Sequence, residues 1–61
     1  MQNKKFNSKS KAYDYFWKCA KSHICFLIRD HENASYQVID EDTLRYLQNE
    51  FNLHMDVLIE S

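Results

Sequence analysis

Ile24-Cys25-Phe26-Leu27-Ile28-Arg29 is the stretch on which the fold turns. β-Branched and aromatic side chains crowd this run, which reads as a strand, and in a strand successive side chains point to opposite faces. Ile24, Phe26 and Ile28 then share one face, and Cys25 and Leu27 share the other. A strand that is apolar on both faces belongs in the middle of a sheet, covered on each side. The polar segment Asp30-His31-Glu32-Asn33-Ala34 follows, and then a second strand from Ser35 to Ile39, so the pair reads as a hairpin. Asn33 is the residue expected to take a left-handed backbone in its loop.

Upstream, Tyr13, Phe16, Trp17, Ala20 and Ile24 recur at helical spacing, with Lys11, Asp14, Lys18 and Lys21 on the opposite side. The pattern predicts a helix from about Lys11 to Ser22, capped by Ser10, with the rings buried. Downstream, Asp40, Glu41, Asp42 and Thr43 supply a cap and an acidic first turn for a second helix, whose inner stripe is Leu44, Leu47 and Phe51. Asn52 can stop it. From Leu53 to Glu60 apolar and polar residues alternate, as in a half-buried strand.

The expected fold is a small α+β domain over residues 10–61, of order α-β-β-α-β, with two helices and a three-stranded, antiparallel-containing sheet. Residues 1–9, basic and polar apart from Phe6, read as a flexible arm. A mostly helical chain with a long C-terminal helix is the competing arrangement, because Leu44, Leu47, Phe51, Met55 and Leu58 also continue a helical stripe.

A chain of 61 residues buries only about 60% of its unfolded surface. If both helices cover one face of so small a sheet, Cys25 and Leu27 on the other face need a second copy. A homodimer with Cys25 and Leu27 at its interface is therefore expected.

Charge is sorted along the chain. Residues 1–30 carry seven cations and two carboxylates, a net of +5, and residues 31–61 carry one cation and seven carboxylates, a net of −6. Such asymmetry concerns partners and association rather than fold, and two oppositely charged halves could also pair antiparallel across a two-fold axis. The chain contains no glycine and no proline, which disfavours phosphate-cradling loops that need bare backbone. No apolar run reaches signal-peptide or membrane-spanning length, so a cytoplasmic protein with reduced thiols and no membrane association is expected.

Chemistry-bearing constellations are few. Cys19, His23, Cys25 and His31 are the nearest approach to a zinc set, but their spacing lacks a Cys-x-x-Cys knuckle, and no metal or cofactor is expected. Cys19 or Cys25 as nucleophile with His23, His31 or His54 as base would need a pocket that a domain this small has little volume to form. No enzymatic activity is expected. Lys4, Lys5, Lys9 and Lys11, beside the rings of residues 13–17, have the ingredients of nucleic-acid binding without any recognition signature. Phe6, Tyr15 and Tyr46 lie off the helical stripes, and with the acidic run Asp40, Glu41 and Asp42 they form the candidate partner-binding set.

The function read from the sequence is a small non-enzymatic regulatory or inhibitory protein, of the size common in phages and mobile elements, that binds another macromolecule as a homodimer. A protein is the first partner expected. A nucleic acid held by the basic arm is the alternative, and a zinc-stabilised interaction module is a third.

Overall fold

Cys25–Asp30 (β2) is the second strand of the chain and lies inside a four-stranded, fully antiparallel sheet. The computed structural model describes residues 2–51 and 55–60. Within them the order is Lys4–Phe6 (β1), Lys9–Ala20 (α1), β2, Ser35–Asp40 (β3), Glu41–Phe51 (α2) and Met55–Glu60 (β4), with the strands arranged β1-β3-β2-β4 across the sheet. The α+β class holds, and the sheet has one strand more than the three expected. Asn52, Leu53 and His54 lie outside the described residues, so the expected helix stop, the first residue of the tail strand and one candidate base are not placed.

The extra strand corrects the reading of residues 1–9 as a flexible arm. Lys4, Lys5 and Phe6 pair with Val38, Gln37 and Tyr36, which occupies the edge of β3 that a three-stranded sheet would leave open. Asn3 continues the attachment. Its Oδ1 accepts the Asp40 N–H at 3.0 Å, and its Nδ2 donates to Thr43 Oγ1 at 2.8 Å.

β1 also explains where the helices go. The connection from β1 through α1 to β2 steps over β3, and the one from β3 through α2 to β4 steps over β2 in the same direction across the sheet. The two pairs of strands run oppositely, so right-handed crossovers require the helices to lie on opposite faces. Packing agrees. Ala12 and Phe16 of α1 close over Cys25, Leu27 and Val38, while Leu44 of α2 closes over Phe26, Ile28 and Ile39.

Cys25 and Leu27 are therefore fully buried by the chain's own α1. The expectation that both helices share one face is corrected, and with it the assignment of Cys25 and Leu27 to a dimer interface. The basic α1 and the acidic α2 lie on opposite faces of the sheet.

Local details follow from residue chemistry. α1 begins at Lys9, after Ser8 and not Ser10. Ser8 contributes its carbonyl to Ala12 N–H at 3.1 Å but no side-chain cap. With no glycine to end it, the helix closes on the Cys19 carbonyl, which accepts N–H groups from Ser22 and His23 at 3.1 and 2.9 Å. In the hairpin Ala34, not Asn33, takes the positive φ, at 50°. Asn33 is occupied: its backbone N–H and its Nδ2 both reach the Asp30 carboxylate, at 3.2 and 2.8 Å.

β4 is a strand, as its alternation implies, but with a register shift where Leu27 pairs with Ile59 and Ile28 with Val57. Leu58 is the extra residue. Met55 consequently packs on the α2 side and Ile59 on the α1 side, where strict alternation would have kept them together. Among the described residues no helix is long and apolar enough to cross a membrane.

Two substitutions test this packing. Ala34→Gly removes the Cβ penalty at positive φ and is expected to raise stability by up to about 1 kcal/mol in chemical denaturation; a loss would show that the turn is not strained. Ser35 Oγ is buried without a hydrogen-bond partner among the described residues. Ser35→Ala should leave stability unchanged or raise it by about 1 kcal/mol, and a clear loss would reveal a partner for that hydroxyl.

Candidate docking face on the first helix

The buried line of α1 runs through Ala12 and Phe16, supported by Cys19 and Ala20; Phe16 and Ala20 belong to the stripe expected from spacing, but Tyr13 and Trp17 do not join it. Ala12 is the reason. Its small side chain lets the helix axis approach the sheet, and Phe6 from β1 takes Tyr15 on one flank, with ring centroids 5.6 Å apart. The helix is thus rotated so that Tyr13 and Trp17 leave the core, 40% and 48% exposed. Ile24, just past the helix end, is 59% exposed and does not join the alternation of β2.

Lys9, Tyr13, Trp17 and Lys21 follow one another at intervals of four residues, which places them in a single row along the helix surface. Lys21 keeps helical backbone angles as the C-cap, so the row continues through it. The two rings meet edge-on, with centroids 5.9 Å apart and planes at 63°. Trp17 is braced from below by buried Phe16, at 5.0 Å and 79°. A shallow depression lined by Lys9, Ser10, Tyr13 and Asp14 opens beside the first ring. Lys9, Lys11, Lys18 and Lys21 are all exposed, against the single carboxylate of Asp14, so this side of the molecule is positive.

The partner set expected from sequence is dispersed. Phe6 and Tyr15 form an internal clasp: Lys4 Nζ sits 5.0 Å from the Tyr15 ring centroid, and the Tyr15 hydroxyl donates to the Gln2 carbonyl at 2.6 Å. Burial, with a smaller contribution from Cys19, raises the pKa of this phenol above its ordinary value. Asp40 caps α2, accepting the Thr43 N–H at 2.8 Å, and Glu41 pairs with Arg45 at 2.7 Å. Tyr46 and Asp42 are exposed on the outer side of α2. Of the arm lysines, Lys4 and Lys5 belong to the β1 edge, whereas Lys9 and Lys11 start α1.

The zinc set is not brought together. Cys25 is enclosed in the core, with its Sγ 3.7 Å from the Phe16 carbonyl, and His31 lies in the hairpin loop, 2.6 Å from Asp56 Oδ2. Among the described residues no group of three or more His, Cys, Asp or Glu is placed to hold a metal ion, and no disulfide joins Cys19 and Cys25. His54 lies outside the described residues. A separate cavity of about 240 Å3 opens between the hairpin and α2, with Ile28, Leu47 and Met55 as apolar walls and Asp30, Glu32, Asn33 and Gln37 as a polar rim. Asp30 is already committed there, accepting from Glu32 and Asn33 N–H groups and from the Asn33 and Gln37 amides.

Comparison with protein-family models, with curated proteins and with solved structures finds no match to this chain.

Hydrogen bonds lower two carboxylates below their ordinary pKa: Asp30 chiefly through the Asn33 side chain, and Asp40 chiefly through the Thr43 side chain and then its N–H. The native state therefore holds fewer protons at these groups than the unfolded chain. Their stabilisation is present above the ordinary carboxylate range and is lost as pH falls through the lowered values. Asp40→Ala should cost about 1 kcal/mol at neutral pH through loss of the cap. It should also make the acid limb of the stability curve shallower; an unchanged limb would show that Asp40 does not contribute to acid sensitivity.

Proposed function

We propose that this protein is a small non-enzymatic regulatory protein that acts by docking on another macromolecule through the outer flank of α1. The supporting observation is the exposed Tyr13–Trp17 pair, fixed by Phe16 beneath it and flanked by Lys9 and Lys21. Exposed, rigid aromatic side chains are the usual anchors of binding surfaces, because they bury much area while fixing few torsions. The acidic run at the start of α2 is the weaker candidate. Asp40 and Glu41 already have structural partners, and carboxylates in a first helical turn are accounted for by the helix dipole.

Docking in place of catalysis is favoured by economy of means. Cys25 is sealed in the core and His31 is paired with Asp56, so these two of the nucleophiles and bases considered from sequence have no common site. A second copy is no longer required to keep β2 dry, and self-association is not part of this reading.

The test is capture from the source cell by immobilised protein. Trp17→Ala and Tyr13→Ala should release what the parent chain retains, while Tyr46→Ala and Asp42→Asn retain it. Each variant is first shown to fold by its unfolding transition. Retention by the α1 variants together with loss in the α2 variants would move the docking surface to the other face and overturn the proposal.

A further inference from the structure

Resting on the reading of α1 as the docking face, we infer that its occupant is a single-stranded nucleic acid, bound without sequence preference along the row Lys9–Tyr13–Trp17–Lys21. The row carries the two kinds of group that such a strand needs. Ammonium groups at its two ends meet phosphates, and two adjacent rings between them meet base faces. Residues four apart on a helix are separated by about 6 Å along the axis, so the row presents one binding group per turn over three turns, matching a strand laid along the helix.

Three observations favour this occupant over a protein. Lysine is depleted at the centres of protein interfaces, yet here Lys9 and Lys21 bracket the rings directly, with Lys18 close behind. Trp17 and Tyr13 are only half exposed and are held against each other, which suits lateral contact along the helix better than insertion into a partner's pocket. The charge is also polarised by layer: four lysines and one aspartate on α1 and its cap, against Glu41, Asp42, Glu50 and a single Arg45 on α2 across the sheet. A phosphate backbone is drawn to one face of the molecule and turned from the other.

The chemistry also sets limits. Arginine, the residue that reads guanine edges, is absent from α1, so base identity should matter little. Duplex bases hide the faces that the rings would stack on, so single strands should bind more tightly than duplex of equal length. Lys4 and Lys5, the arm lysines considered from sequence, lie on the β1 edge and are outside this row.

Trp17 is the only tryptophan in the chain, so its emission reports the site directly. Titration of the full chain with oligothymidylate should quench that emission. The logarithm of affinity should fall against the logarithm of salt concentration with a slope of about −1.4 to −2.1, as two or three phosphate contacts imply for a single strand. Tyr13→Ala should weaken binding by about 5- to 100-fold through loss of one stacking partner. Lys9→Gln with Lys21→Gln should lower the slope, and Lys4→Gln with Lys5→Gln should leave it unchanged. Quenching by polyglutamate as strong as that by the oligonucleotide would reduce the site to bare charge and overturn the inference. So would the absence of quenching by oligothymidylate while the α1 variants still lose capture from the cell; the docking face would then stand with a protein as its occupant. Loss of both would remove the face itself.

Discussion

Everything in this molecule depends on keeping β2 dry on both faces. Cys25, Phe26, Leu27 and Ile28 are buried in succession, and burying a large aliphatic or aromatic side chain is worth about 1.5–3 kcal/mol. A 61-residue chain has little stabilisation to spare, so it cannot leave either set exposed. The solution is one helix per face. α1 and α2 are each short, and each needs only a few inward residues to close its side, Ala12 and Phe16 in one case and Leu44 with half-buried Leu47 in the other.

That arrangement leaves a surface over. A helix that approaches through a small residue such as Ala12 does not have to bury all of its apolar arc. The flank bearing Tyr13 and Trp17 is what remains outside, and the lysines on either side of it keep that flank soluble and positive. Fold and proposed function are linked here: the rotation of α1 that seals Cys25 and Leu27 is the same rotation that presents the ring pair.

Much of the fold was legible because it depends on local pattern. The alternation of Cys25 to Ile28, the hairpin to Ser35–Asp40, the capped start of α2 and the strand character of the tail are all written in spacing and residue type. What was not legible depends on distant contacts. Lys4-Lys5-Phe6 has no strand signature of its own; it becomes a strand because β3 has an open edge and because Asn3 and Tyr15 hold the segment on both sides. Missing that strand concealed the two crossovers, and without them nothing separated the helices onto opposite faces. The rotation of α1 was hidden for a similar reason, since large rings at helical spacing outweigh a single alanine in any count of apolar residues. The candidate site was therefore half visible. Its residues were noted as rings and lysines, but the rings were assigned to the core, Lys9 to an arm and Lys21 to the far side of the helix.

The central claim is that one chain, unaided, encloses the α1 face of β2. The most direct measurement is the reactivity of the Cys25 thiol in a folded Cys19→Ala variant, followed over a wide range of protein concentration. Cys25 should react only as fast as the whole domain unfolds, at a rate independent of concentration. A thiol that reacts quickly in dilute solution and becomes protected as concentration rises would show that a second copy provides the cover, and would contradict the claim.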